Sequence, residues 1–218
     1  MALTNYSDLK EAAIKWSRRS DISDIIDDAI DLAEAEMYKN GPDGQTGLEL
    51  RDMESRETAV LDSTTPSRYL ALPDRFAKMR SFQLVVSGTI PNRVVRELEY
   101  KIPSALLPKG GQGIPKFFTI TSQIEFDIHP LEDYTVEMEL LKKETALSAA
   151  NPTNQIMTRF PDIYLNGTLW GIFDSVRNEE LAQYRYTKFR AAIAAANQED
   201  KKGRYGITPR MRSRGSTP

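Results

Sequence analysis

The spacing of apolar residues changes twice along this chain, and that change constrains the fold more than any other feature. Up to about residue 40, apolar side chains recur every three or four positions, which is the spacing of one helix face. Between residues 49 and 142 they alternate with polar residues in short runs, as in strands with one buried face. After the linker ETALSAANPTN, residues 144–154, the helical spacing returns. This order predicts an α+β protein, in which the N- and C-terminal segments form one helical bundle and the middle is a β-rich antiparallel insertion.

Two helices are predicted before residue 40. The first has an apolar face that consists of Tyr6, Leu9, Ala13 and Trp16, with Thr4 or Asn5 as its cap. The second has an apolar face that consists of Ile22, Ile25, Ile26, Ala29, Ala33 and Met37. Gly41 suits a C-terminal cap and Pro42 cannot continue a helix, so the second helix is expected to end there.

Seven β-prone segments follow, separated by turn residues. They are RETAVLD, SRYLALP, SFQLVV, VVRELEY, KFFTIT, QIEFDIHP and YTVEMELL. Their irregular spacing and frequent turns favour antiparallel meanders over a parallel α/β sheet.

Two further helices are expected in the C-terminal segment. Pro161 fits the first turn of one, and Asn178 opens another that ends at Gly203. The predicted inner side of the last helix consists of Leu181, Tyr184, Phe189, Ala192, Ile193 and Ala196. Trp16 and Trp170 lie at apolar helical positions and are interpreted as core anchors. The predicted domains are a bundle of residues 1–48 and 143–202, a β-rich insertion of residues 49–142, and a flexible C-terminal docking arm of residues 203–218.

The sequence offers little material for catalysis or for cofactor binding. It has no cysteine, and its only histidine is His129. A Ser–His–Asp or Cys–His catalytic set therefore cannot be assembled without assigning several roles to this one histidine. The glycines of NGPDGQTG and PKGGQG match no phosphate-binding loop. No catalytic, cofactor-binding or metal site is predicted, and charges interrupt each long apolar run, so no membrane-spanning helix is expected.

One face of the second helix is acidic. It carries Asp21, Asp24, Asp28 and Asp31 at helical spacing. The simplest interpretation is a solvated face. In a ring-shaped assembly it could instead line a channel or meet a basic neighbouring subunit.

The last 18 residues, KKGRYGITPRMRSRGSTP, carry six positive charges and no acidic side chain. The whole chain has a formal net charge of −2, so the preceding residues are distinctly acidic. Such a tail can bind nucleic acid, a membrane or an acidic protein surface. Its interleaved apolar residues favour a protein surface. The predicted docking residues are Arg204, Tyr205, Ile207, Pro209, Arg210, Met211 and Arg212.

Several stretches resemble the head-to-tail adaptor proteins of short-tailed bacteriophages, the tail tubular protein A type. They are LTNYSDLKEAAIKW, SDISDIIDDAIDLAEAEM and ANPTNQIMTRFPDIYLNGTLWGIF, together with the final helix up to KKGRYG. The resemblance covers the two helical ends, about 100 residues, and is most specific in NPTN and FPDIYLNGTLW.

This resemblance implies a structural role in the neck of the phage particle, after assembly in the host bacterial cytoplasm. The expected partners are the portal protein, further copies of the chain in a ring of twelve, and the tail nozzle and fibre proteins. Genomic DNA would pass through the ring without specific binding. Two other classes stay open: a DNA-binding accessory protein that uses the basic tail, and an enzyme such as a hydrolase of cell-wall polymer.

Overall fold

The structure, a computed structural model, describes residues 3–41, 44–64, 67–87 and 94–205, with side chains up to residue 202. The described residues divide into two compact units. The helical unit contains the residues up to Asp52 and those from Glu144, and the β unit runs from Met53 to Lys143. Helices lie at both ends and a β-rich segment lies between them, so the predicted α+β class is confirmed.

Five α-helices lie in the part of the helical unit that the structure describes. They are α1 (Tyr6–Ser17), α2 (Ile26–Met37), α3 (Gln155–Arg159), α4 (Pro161–Ser175) and α5 (Glu179–Tyr205). Two of them begin at asparagine caps. Asn5 accepts a hydrogen bond from the Asp8 N–H at 2.9 Å, and Asn154 accepts one from the Met157 N–H at 2.8 Å. Each side chain thereby satisfies a backbone donor that the first helical turn leaves unpaired.

Helix α4 lies at the centre of this unit. Every residue from 163 to 173 is buried or half-buried, because α1, α2 and α5 all pack on it. The contact with α2 is made through glycine and alanine. A Cβ atom placed on Gly167 would lie 2.7 Å from Cβ of Ala33, and one on Gly171 would lie 3.0 Å from Cβ of Ala29. The two backbones can therefore approach closely only while α4 has glycine at both positions.

In the described residues of the β unit there are ten strands. They are β1 (Glu54–Leu61), β2 (Tyr69–Leu70), β3 (Phe76–Ser87), β4 (Val94–Glu97), β5 (Glu99–Tyr100), β6 (Gln112–Gly113), β7 (Phe117–Ile120), β8 (Ile124–Phe126), β9 (His129–Pro130) and β10 (Tyr134–Lys142). One sheet has the order β1-β10-β3-β4 and is antiparallel throughout. A second has the order β2-β8-β7-β5, with β5 parallel to β7, and β6 pairs with β9 in parallel. Each of the seven predicted β-prone segments contains a strand.

Both four-stranded sheets contribute to one core. Alternate residues of β10 point into it, from Tyr134 through Val136 and Met138 to Leu140. The ring of Phe82 on β3 contacts the rings of Phe118 and Phe126 at centroid distances of 4.6 and 5.8 Å. These aromatic contacts join the first sheet to the second, and offset or edge-on ring pairs of this kind add to the stabilisation from burial.

The structure corrects three details of the sequence interpretation. Helix α5 continues through Gly203 to Tyr205, because one glycine costs a helix only about 1 kcal/mol and the alanine-rich sequence before it sustains the helix. Trp16 is 53% exposed instead of buried. Leu181 and Tyr184, assigned to the inner side of α5, are 41% and 52% exposed, while Ala182 is buried. Helical spacing alone therefore does not determine which residues near the start of α5 are buried.

We expect Gly167→Ala to destabilise the protein by about 1–3 kcal/mol, since the new methyl group would overlap Ala33 and the Phe189 ring. This strain outweighs the gain of about 1 kcal/mol that alanine brings to a helix interior. The measurement is thermal unfolding followed by circular dichroism at 222 nm. Gln183→Ala on the exposed side of α5 is the matched control and should leave the midpoint unchanged. A midpoint for Gly167→Ala at or above that of the wild type would contradict the close α2–α4 contact.

Candidate interaction surfaces of the helical unit

The predicted docking residues lie at and beyond the C-terminal end of α5. Arg204 and Tyr205 belong to its last turn. The other five lie outside the described residues, namely Ile207, Pro209, Arg210, Met211 and Arg212. The place where the arm leaves the helical unit is therefore set by how α5 is held.

Polar side chains on the buried side of α5 hold the segment between α2 and the β unit. The Arg190 guanidinium, 5% exposed, donates to the carbonyl oxygens of Lys39 at 3.0 Å and Gln45 at 3.3 Å. The Asn197 amide donates to the Gly47 carbonyl at 2.9 Å and accepts from the Glu49 N–H at 2.9 Å.

One helical turn after Asn197, the Asp200 carboxylate accepts from the Arg51 N–H at 3.0 Å. The described residues between 39 and 51 are thus fixed to α5 largely through their main chain. Sequence analysis missed Arg190, Asn197 and Asp200 as structural residues. Their spacing could have indicated this role. Asn197 follows Arg190 by seven positions, and Asp200 follows Asn197 by three. This spacing places them on the same helix face as Phe189, Ile193 and Ala196.

A second buried polar cluster holds the segment that leads into α3 and α4. Oε1 of Glu34 accepts hydrogen bonds from the Leu147 N–H and the Tyr164 hydroxyl, both at 2.8 Å. The Asn154 amide donates to the Tyr164 oxygen at 2.6 Å and to the Thr145 carbonyl at 3.0 Å. Asn154 belongs to the NPTN stretch and Tyr164 to FPDIYLNGTLW, so the two stretches are in contact in this cluster. The role of the cluster is structural.

Burial governs the protonation of this cluster. It raises the pKa of the Glu34 carboxyl above its ordinary value, and the two hydrogen bonds that favour the carboxylate offset this only in part. Burial, with the nearby Glu34 charge, also raises the pKa of Tyr164, which stays a neutral hydroxyl and donates to the carboxylate.

The outer side of α2 is acidic through Asp28 and Asp31. The sequence interpretation also placed Asp21 and Asp24 on this helix, but α2 begins only at Ile26, and these two residues lie in the turns before it. The predicted residues Asp21, Asp24, Asp28 and Asp31 are all exposed. Asp21 forms an ion pair with Arg19 at 2.7 Å. Asp28 and Asp31 have no ion-pair partner in the described ranges, and Leu32, 39% exposed, lies beside them. We call Asp24, Asp28, Asp31 and Leu32 the acidic α2 face.

A surface of the opposite charge is formed where α1 ends and α5 begins. The Arg185 guanidinium lies 5.3 Å from the centre of the Trp16 ring and 5.5 Å from that of Tyr184, and it donates to the Asn166 side chain at 3.2 Å. Lys188 Nζ lies 5.7 Å from the Tyr184 ring. We call Trp16, Leu181, Tyr184, Arg185 and Lys188 the cation–aromatic patch.

Within the described ranges no group of three metal-ligating side chains is placed to hold an ion. In that same part of the chain, no helix combines the length and apolar character needed to cross a membrane.

A comparison with protein families identifies the class to which this chain belongs. The model of the SU10 adaptor protein family matches residues 4–214, nearly the whole chain, so the protein belongs to that family and is a phage adaptor protein. The proposed resemblance to head-to-tail adaptors is thereby confirmed. A search of curated proteins gives no match.

The buried Glu34 carboxyl yields a prediction about stability and pH. Because its folded pKa is raised, burial of the carboxylate costs stability once the pH rises above the unfolded pKa, and the cost is complete above the folded pKa. Glu34→Gln keeps the acceptor for Leu147 and Tyr164 without the charge. We expect it to equal or exceed the wild-type stability at pH 7, by less than about 1 kcal/mol, with the difference shrinking toward pH 4.

The control is Glu34→Ala, which removes the acceptor altogether. It leaves the Leu147 N–H and the Tyr164 hydroxyl unsatisfied and should cost about 1–3 kcal/mol. Urea unfolding at several pH values measures both variants. A Gln variant that is as unstable as the Ala variant at pH 7 would show that the charge itself stabilises the cluster.

Proposed function

We propose that this protein forms a ring of twelve copies that attaches below the phage portal, extends the DNA channel and gives the tail nozzle and fibre proteins an attachment platform. The proposal depends on one observation, the family match over residues 4–214. An adaptor joins two parts of a virion, so each copy needs contact surfaces for different partners. In this proposal the protein resides in the neck of the particle, is assembled in the host bacterial cytoplasm and catalyses no reaction.

The C-terminal arm is assigned to the portal. Its proposed anchors are Arg204, Tyr205, Ile207, Pro209, Arg210, Met211 and Arg212. The match to the adaptor family extends to residue 214, so it includes all seven. The basic residues suit an acidic surface, while the apolar ones would fill pockets that a purely electrostatic nucleic-acid tail does not require. Held at the end of α5, each arm acts from a defined position, and contacts repeated around a ring multiply a modest affinity.

The acidic body fits a channel for DNA. Apart from the tail, negative charge predominates, and exposed carboxylates on α2 repel phosphates. DNA would then pass without specific binding. The β unit exposes several large apolar side chains, among them Tyr100 at 50% and Leu107 at 76%, and we assign the nozzle and fibre contacts to this unit.

Deleting residues 206–218 tests the docking arm while leaving α5 intact. The truncated protein should keep the wild-type unfolding midpoint, because the deletion starts beyond the last helical residue. It should lose attachment to portal rings by at least tenfold in affinity, since most of the proposed anchors are gone. Co-sedimentation with purified portal measures the attachment, and electron microscopy shows whether a ring forms below it.

Two matched variants of the full chain separate apolar anchoring from charge. Ile207→Ala with Met211→Ala removes apolar contacts, and Arg210→Gln with Arg212→Gln removes charge. Both pairs should weaken portal attachment. Normal ring formation on portals by the truncated protein would refute the docking arm.

A DNA-binding accessory role is the alternative that the six positive charges of the tail favour. It requires that the full chain binds duplex DNA with an affinity that falls steeply with salt, and that Arg204, Arg210, Arg212 and Arg214 contribute. Tight duplex binding near physiological salt, without portal attachment, would replace the adaptor mechanism with this one.

A further inference from the structure

The cation–aromatic patch leaves large apolar side chains exposed in an unusual arrangement. Trp16 is 53% exposed and Tyr184 is 52% exposed, yet a guanidinium is held within 5.5 Å of both ring centres. Arg185 and Lys188 form no ion pair within the part of the chain that the structure describes. Two aromatic rings and two cations without carboxylate partners make a surface suited to an acidic partner that also offers an apolar side chain.

The acidic α2 face has that chemistry. It presents Asp28 and Asp31 without ion-pair partners among the described residues, and Leu32 beside them is 39% exposed. Its carboxylates can form ion pairs with the two cations of the patch, and its leucine can pack against the exposed rings. The two surfaces share no residue, since one lies on α2 and the turns before it and the other on α1 and α5.

We propose that the cation–aromatic patch of one copy binds the acidic α2 face of a second copy, an inference that rests on the adaptor ring of the proposed function. A contact between two different surfaces is head-to-tail, and repetition of such a contact closes into a ring when its rotation allows. Trp16, Tyr184 and Arg185 are the centre of this contact. Burial of the rings strengthens the attraction between Arg185 and the carboxylates, since solvent screens them less there.

The absence of cysteine from the chain allows a direct test by crosslinking. A full-length variant with Leu32→Cys and Tyr184→Cys should give a ladder of covalent multimers after mild oxidation, because each copy links to the next. Either substitution alone leaves one thiol in each contact and should give little product. An equimolar mixture of the two single variants should give dimers and nothing longer.

The matched control combines Leu32→Cys with Gln198→Cys. Gln198 is also exposed on α5 but lies 14 residues beyond Tyr184, about 21 Å along a helix. An equal ladder from this pair, or self-linked dimers from Tyr184→Cys alone at the same yield, would overturn the proposed contact. The absence of a ladder, both in the free protein and on portal rings, would also overturn the proposed contact.

Charge reversal in the protein with Leu32→Cys and Tyr184→Cys gives a second, independent test of the contact. Arg185→Glu with Lys188→Glu should lower the ladder yield at least tenfold, and so should Asp28→Lys with Asp31→Lys. Mixing the two reversed proteins should restore the yield, because each altered surface then meets its complement. Failure of the mixture to recover, with circular dichroism of both proteins unchanged, would count against the contact.

Failure of this inference can be told apart from failure of the proposed function. Protein that attaches to portal rings without forming the ladder would disprove the contact and leave the adaptor role intact. A ladder from protein that never attaches to portals would support the contact and contradict the portal assignment.

Discussion

The helical unit depends on how closely α2 can approach α4. Glycine at 167 and 171 lets the two backbones come together against Ala29 and Ala33, and the Phe189 ring of α5 fills the remaining side of Gly167. With α4 enclosed in this way, its residues from 163 to 173 are buried or half-buried. The middle of α4 is consequently closed to other molecules, and the charged faces of the surrounding helices are the candidates for contact within the helical unit.

Packing of apolar residues does not by itself hold the segments between helices, and this protein uses buried polar side chains for that purpose. Arg190, Asn197 and Asp200 satisfy main-chain groups of residues 39–51, while Glu34 satisfies the Leu147 N–H. Buried backbone groups need such partners, because an unsatisfied one costs about 1–3 kcal/mol. The two clusters therefore fix where the chain leaves α2 and where it enters α3.

Much of the fold could be predicted from local pattern. On α2, Ile26, Ala29, Ala33 and Met37 are buried as their spacing indicated, and the alternation in β10 gives its inward face. Spacing shows which way a side chain points but not whether another element covers it, so the exposure of Trp16 and Tyr184 could not be predicted.

The candidate surfaces were predicted less completely. The acidic face was visible in the sequence, since its residues lie within one short stretch. The cation–aromatic patch joins residues about 170 positions apart, and such a pairing depends on tertiary packing. The role of the arm was predicted from its composition alone. Five of its seven predicted docking residues lie outside the described residues.

The attachment of residues 39–51 has a consequence for sequence variation. Because α5 binds this segment mainly by its carbonyl and N–H groups, an exposed side chain such as that of Gln45 can be exchanged without changing its path. Three positions are constrained. A Cβ on Gly47 would lie 2.3 Å from the Tyr38 carbonyl oxygen, and the side chains of Leu48 and Leu50 are buried. The segment can therefore vary at its exposed positions while keeping its course, provided that these three residues and the polar residues of α5 are retained.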